Sequence, residues 1–553
     1  MSLQFITGGS GAGKSEYLSR LVCEESVRRP HDNFIVVVPE QYTMETQKKL
    51  VHMHSRKGIL NIDVVSFERL AYKVFEELGG GNRPVLDDTG KNLIVRRVLE
   101  KEKKKLDYFG SSIEKTGFVS ELKSVISELL QYGITPQQLG EIGENVKEKQ
   151  QLSAKLKDIR LVYKEFMAFL STNYITSEEI LDVLCGLVEK SKLIAGSEII
   201  FDGFTGFTPI QYKLMRLLLV YSKGIKISVT IDKKERPTGH EGWNNLFFMS
   251  KEMMNRLIAI CEEEGINVDD TVCVDRDINY RYEGAKDLAY LERNLFRYKG
   301  GVYTGTPENI RIYEGSNPKE ELQYIVSEIL QLTRKEGFRY RDIAVVTADL
   351  ETYGKVAANM MKQNDIPAFL DYKRSVAANP YVEMLCSALE IVEKGYPYDT
   401  MFRYLRTGLT GISRHDIDML ENYCLAVGIR GSRAWHEPWK KKMKRSTYQP
   451  ELETLNALRE QIMAPFLNLE AVLKDKEANV RAYVTAVYEF VTALHSAEQI
   501  KVLSECESAG NEYEQLYAKV LELFDRIVEL LGEENVSLKE FNRIVAAGFE
   551  EMK

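Results

Sequence analysis

Eight residues near the amino end, Gly8-Gly9-Ser10-Gly11-Ala12-Gly13-Lys14-Ser15, have the spacing of a phosphate-binding turn, G-x-x-x-x-G-K-[ST]. The chemistry follows from the residue types. Glycines let successive backbone N–H groups turn inward around phosphate oxygens, and a helix that starts there aims its positive dipole end at the same anion. Lys14 would reach the terminal phosphates of ATP, and the Ser15 hydroxyl would ligate Mg²⁺. The bland alternative is a glycine-rich turn that holds no nucleotide. An apolar strand-length run before the turn and a helix-length run after it favour the first reading. That reading needs a turn open to a triphosphate, and side chains sealing it would count against it.

Four more groups suggest related chemistry. In Glu198-Ile199-Ile200-Phe201-Asp202 an apolar strand ends in a carboxylate, so Asp202 would hold Mg²⁺ through water. The next position, where a hydrolase of this kind carries a Glu to activate water, is Gly203. Nucleotide binding without efficient turnover is therefore expected. In Pro39-Glu40-Gln41-Tyr42-Thr43, Gln41 and Thr43 could bond base edges or phosphates, or simply form a polar turn. In Ser66–Tyr72, Arg69 and Tyr72 are three apart and share a helix face, a guanidinium for phosphate beside a ring for base stacking. An amphipathic helix with a core Tyr is the alternative. Phe204 and Phe207, in Asp202–Pro209, could form a stacking platform or a plug. Basic clusters at Arg96–Lys105 and at Lys440–Arg445, the latter near Trp435 and Trp439, could track a DNA backbone, although solvated helix faces are the better account of them. No catalytic residue is nominated. The histidines have no ligand spacing, and no nucleophile stands by a base.

The elements that must position these groups follow from hydrophobic periodicity. Leu3–Thr7, Phe34–Val38 and Ile62–Val65 read as strands, with Ser66 as a helix N-cap. Strands return at Ile199–Phe201 and Ile225–Ile231. Uninterrupted apolar strands fit a parallel sheet covered on both faces. Between them, Phe118–Leu130 and Leu152–Leu170 repeat at helical spacing. A second α/β stretch begins near Ile310, with strands at Ile310–Tyr313, Ile343–Thr347 and Ala368–Leu370 and a helix from about Lys319 to Lys335. The chain is almost wholly helical from Pro380. The fold class is thus α/β, with parallel-sheet domains of the P-loop type carrying large all-helical insertions. The domains are 1–90 and 191–305 for a first core, 91–190 for a helical insertion, 306–375 for the start of a second core, and 376–553 for a helical domain.

Bulk composition bounds the function. A length of 553 residues implies several domains. A net charge of −8 excludes a surface that traps nucleic acid everywhere, so any DNA contact is local. Seven cysteines, Cys23, Cys185, Cys261, Cys273, Cys386, Cys424 and Cys506, form no CxxC pair. They read as buried small hydrophobes in a reducing compartment, not as a zinc site or disulfide framework. Apolar runs are too short to span a bilayer, so a cytoplasmic protein with no membrane partner is expected.

Taken in order, LQFITGGSGAGKSEYL, VVVPEQYT, VVSFERLAYKV and IIFDGFTGFTP resemble the AddB family, one of the two chains of bacterial AddAB helicase–nucleases. The resemblance continues through EELQYIVSEILQLTRKEGFRYRDIAVVT, IPAFLDYKRSVAANP and LENYCLAVGIRG. It implies a superfamily-1 helicase-like (RecA-like) framework that is not itself the motor. It also implies an AddA-like partner in a heterodimer, single- and double-stranded DNA as ligands, and a role in double-strand-break repair by homologous recombination. Recognition of the Chi sequence as single-stranded DNA would fall to Gln41, Thr43, Arg69, Tyr72 and Phe204 or Phe207. Three departures separate the chain from a working motor. There is no room for an adenine-reading Gln before Gly8, no Arg follows Ile343–Thr347, and no Glu follows Asp202. The family's C-terminal nuclease and iron–sulfur cluster would lie beyond residue 553, so the chain reads as a fragment without nuclease activity. The alternatives are an independent P-loop ATPase or kinase, and an architectural protein whose turn is a relic.

Overall fold

Apolar runs flanked by helices can satisfy their backbone groups only by pairing side by side, and the pairing here is parallel. The strands are β1 Ser2–Gly8, β2 Asn33–Val37, β3 Ile62–Val65, β4 Val85–Leu86, β5 Ile175–Thr176, β6 Ser197–Phe201, β7 Gly224–Thr230, β8 Asn267–Val268 and β9 Val272–Cys273. The computed structural model describes residues 1–552 apart from 80–83, 114, 116, 147–148, 236–241, 298–300, 371–375, 377, 444–450, 496–497 and 502–509. Cys506 and part of the basic cluster at Lys440–Arg445 lie outside the described residues.

Two compact units result. One comprises Met1–Asn82 and Ile180–Lys373, the other Arg83–Glu179 and Arg374–Lys553. The first holds the main sheet, in the order β3-β2-β6-β7-β1-β8, with β9 also beside β1. Every pairing is parallel. The sheet resumes after the helical excursion: β6 enters beside β2, and β7 enters between β6 and β1. All five residues of β6 are buried, as a central strand covered on both faces requires. On one side Ile6, Phe34, Val36 and Ile200 pack with Leu18, Val22 and Leu50 of the helices Lys14–Arg28 and Thr43–Met53. Because the strands run the same way, the segments after β1, β2, β3 and β6 all emerge at one edge of the sheet.

The same unit corrects part of the second α/β stretch. The helix forms, over Pro318–Lys335, but the stretches 310–313, 343–347 and 368–370 are not strands. Apolar content favours a strand only where a neighbour completes the ladder, and among the described residues these segments pair with none. Ile343 and Leu370 pack against the cluster of Leu322, Val326 and Met361 from the helices Pro318–Lys335 and Leu350–Gln363. Ile312, Val346 and Phe369 point outward, each more than 90% exposed.

The second unit is helical apart from the β4–β5 pair. It joins chain segments far apart in sequence around one core that includes Leu93, Phe166, Tyr381, Trp435, Phe466 and Phe524. The helix Asp88–Glu102 packs on Leu538–Glu551, where Asn92 donates to the Ala547 carbonyl and Arg97 pairs with Glu534 and Glu540. Trp435 and Trp439, read as neighbours of a basic DNA track, are both buried. Arg96, in the other basic cluster, is buried against the Ile113 carbonyl and Glu100. The six described cysteines are free thiols. Among the described residues no helix is long and apolar enough to cross a membrane.

At the edge of the sheet opposite the turn, Glu198 ties three elements together. It accepts from Arg29 at 2.5 Å and also pairs with Lys226. Burial alone would raise its carboxyl pKa, but the bonds from Lys226 and Arg29 outweigh burial and hold it below the ordinary value. Its stabilisation is therefore complete above that ordinary value and is lost as pH falls through the folded value. Glu198→Gln is expected to cost about 1.5–3 kcal/mol at neutral pH, the usual range for hydrogen bonds to charged groups. In urea unfolding, the wild type and the variant should converge in acid; a constant gap down to pH 3 would disprove the assignment.

Candidate functional site

The turn after β1 has the backbone that anion binding needs. Gly11 sits at φ +70° and Gly13, the N-cap of the helix Lys14–Arg28, at φ +94°. Lys14 folds back and donates to the Gly8 and Gly9 carbonyls, both at 2.9 Å. Burial lowers its ammonium pKa and nearby Arg281 adds to this, against the opposing pull of Asp202, Asp275 and Glu292.

The turn is not open, contrary to the expectation from sequence. β9 runs parallel to β1, and the Val274 N–H continues the ladder to the Thr7 carbonyl at 2.9 Å. That register delivers Asp275 to the turn. Its Oδ1 accepts from the Gly9 N–H at 3.1 Å and its Oδ2 from the Lys233 N–H at 3.1 Å. Glu292, on the helix Lys286–Asn294, accepts from the Ser10 N–H at 3.3 Å. Burial raises its carboxyl pKa despite that bond. Buried Asn279 donates to the Ser10 carbonyl at 3.2 Å. Arg281 lies so close to Gly11 that a Cβ there would meet the Arg281 Cβ at 2.6 Å, so the position demands glycine for space as well as for φ. The Tyr280 ring sits against Gly13 from the other side, with Arg276 stacked 3.7 Å over it.

None of these residues emerged from the sequence. β8 and β9 are two residues each and leave no periodic signal. The available clue was Asn279-Tyr280-Arg281-Tyr282, a cation between aromatics just past a short apolar pair. Arg281 places a guanidinium beside the turn from a segment far along the chain.

The strand of Asp202 is one strand removed from β1, with β7 between, which is about 10 Å at ordinary strand spacing. Asp202 accepts from the Ser228 hydroxyl at 2.5 Å, and Ser15 is exposed on the first turn of its helix. Gly203 sits at φ +85° with Pro39 3.4 Å from where a Cβ would lie, so a glutamate there would strain the backbone.

Further along the edge, Phe204 and Phe207 pack against one another at a tilt (5.5 Å between centroids) and edge-on against Phe67 at 5.4 and 6.0 Å. Fully buried Phe201 supports all three. The cluster is anchored in the core through Phe67 and Phe201, while Phe204 and Phe207 keep part of their surface outside. Phe67 was not singled out from sequence, because in an amphipathic helix it reads as one more core residue. Ser66 caps that helix by accepting from the Arg69 N–H. Arg69 pairs with Glu40 at 2.9 Å on the surface, and Tyr72 is 41% exposed beside Phe75. Gln41 is exposed, whereas Thr43 is buried with its hydroxyl on the Glu40 carbonyl at 2.9 Å. The strand ends thus carry the glycine turn, Asp202, Gln41, Arg69, Tyr72, Phe204 and Phe207 but do not present Thr43, and the basic clusters belong to the other unit.

Residues 5–292 match the family model described as "ADDB, N-terminal", a span from β1 to the helix that carries Glu292. The chain belongs to the AddB family. It is 41% identical over its whole length to the AddB chain of the ATP-dependent helicase/deoxyribonuclease of Lachnoclostridium phytofermentans, of which it covers 49%. The corresponding chains of the same enzyme from Symbiobacterium thermophilum and Clostridium novyi are 35% and 33% identical, again over the whole chain and over 49% and 48% of their own lengths. The chain therefore spans about half the length of the AddB relatives it matches.

The aromatic cluster separates packing from exposure. Phe67→Ala should destabilise the first unit by about 3–5 kcal/mol, as for other buried large-to-small changes. Tyr72→Ala should stay within about 0.5 kcal/mol of wild type, as surface substitutions do. Equal losses in thermal or urea unfolding would contradict this division.

Proposed function

We propose that this AddB-family chain is the helicase-like, nucleotide-binding and DNA-recognising part of an ATP-dependent helicase/exodeoxyribonuclease. In this reading it works beside an AddA-like motor in double-strand-break repair by homologous recombination. The observation that carries it is the convergence of the glycine turn, Asp202, Arg69, Tyr72 and the phenylalanine cluster at one edge of a parallel sheet. The strand order, with one strand between the turn's strand and that of Asp202, supports a RecA-like P-loop core.

The turn fits a phosphate because its amides already hold anions: the Asp275 and Glu292 carboxylates stand where phosphate oxygens would. Ser15 and Asp202 would hold Mg²⁺, which would neutralise phosphate charge. Tyr280 offers a ring for a base beside Gly13, and Arg281 a guanidinium for phosphate. The strain that a side chain would meet at Gly203 supports binding with weak turnover. At the other end of the edge, Phe204, Phe207 and Tyr72 would stack unpaired bases, with Gln41 and Arg69 beside them.

Titration with MgATP should saturate for the wild type, and Lys14→Ala should weaken it at least tenfold. Single-stranded oligonucleotide binding, followed by fluorescence anisotropy, should weaken with salt. Tyr72→Ala should cost about 1–3 kcal/mol of that binding, the usual worth of one stacked base. ATP turnover stimulated by a small acceptor molecule would instead favour a kinase, and absence of saturable binding to either ligand would end the proposal.

A further inference from the structure

We propose that Asp275 and Glu292 form an internal phosphate mimic that closes the turn and must be displaced before a nucleotide can enter. The proposal rests on the nucleotide-binding reading above. A phosphate-binding turn works through its inward N–H groups, and two of them, of Gly9 and Ser10, are already donated to carboxylate oxygens at 3.1 and 3.3 Å. One N–H cannot make a full bond to both a carboxylate and a phosphate. Two carboxylates beside a triphosphate also repel it, so cap and nucleotide exclude one another. The crowding at Gly9 agrees: a Cβ there would meet Asn279, Glu292 and Asp275, all between 3.2 and 3.3 Å.

The cap is built, not incidental. Asp275 stands two residues past the end of β9, whose pairing with β1, continued by the Val274 N–H, fixes its height above the turn. Its second oxygen is held by the Lys233 N–H. The helix that carries Glu292 is tied in turn to the chain leading into the second α/β stretch. Buried Asp287, in its first turn, accepts from the Glu308 and Asn309 N–H groups at 2.9 and 2.7 Å and from the Asn309 side chain at 2.9 Å. Moving Glu292 off the turn therefore pulls on residues 308–309, just before the extended stretch 310–313. Nucleotide occupancy would be transmitted along that connection.

MgATP affinity is measured by calorimetry on the wild type and on Asp275→Asn, Glu292→Gln, Glu292→Ala and the Asp275→Asn/Glu292→Gln double variant. Each single change should tighten binding at least threefold, and the double at least tenfold, with unfolding midpoints showing that the variants fold. In the wild type, MgATP should speed amide exchange at 279–292 and 308–310, and it should not do so in Lys14→Ala. Unchanged or weaker affinity in the folded variants, with Lys14-dependent binding intact in the wild type, would overturn the cap alone. No binding by the wild type or any cap variant would overturn the cap and the nucleotide reading together. Binding by the double variant where the wild type binds none would support both.

Discussion

The parallel alignment of the strands around β1 is the constraint on which the rest depends. β7 on one side and β9 on the other both run with β1, so their carboxyl ends arrive at the same height as the glycine turn. A parallel ladder cannot be closed by a short hairpin. Each return needs a crossover, and the chain uses those crossovers for its helices and for the long excursion into the second unit. The reward is that residues from five separate strand ends meet along one edge without any of them being adjacent in sequence.

That edge has two differently built ends. Around the turn, polar groups dominate, with carboxylates on two amides and an ammonium on two carbonyls. Electrostatic interactions are strong there because the groups are partly withdrawn from water. Around Phe67 the bonding is apolar. Four rings pack in edge-on and tilted contacts, two of them anchored in the core and two partly outside. Pro39 against Gly203 joins the two ends, since the loop after β2 packs on the residue that follows Asp202.

The second unit shows a different use of sequence distance. Its core draws on residues before 180 and after 373, and buried polar links such as Asn92 to Ala547 lock the pieces. Lys91 is nearly fully buried yet pairs with Asp88 and Glu178 at 2.8 Å, which keeps its charge compensated. Asp158 satisfies three consecutive amides, of Asp107, Tyr108 and Phe109, where the chain bends.

Local patterns alone determined much of this molecule. The apolar runs at 3–7, 34–38, 62–65, 199–201 and 225–231 dictated strands because runs of that length leave water by pairing side by side. The glycine spacing dictated a tight turn, and Ser66 dictated a helix start. The family was legible too, because its motifs are contiguous. Tertiary structure alone decided what occupies the turn, because Asp275 and Glu292 lie at least 260 residues away, the first reaching it past a two-residue strand with no periodicity and the second from the helix Lys286–Asn294. It decided that Thr43 is buried and that Phe67 anchors the aromatic cluster, since exposure at a strand tip depends on neighbours from other strands. It also decided that the runs at 310–313 and 343–347 are not strands. A hydrophobic pattern specifies which face of a segment prefers burial, but a ladder exists only where a second backbone lies alongside.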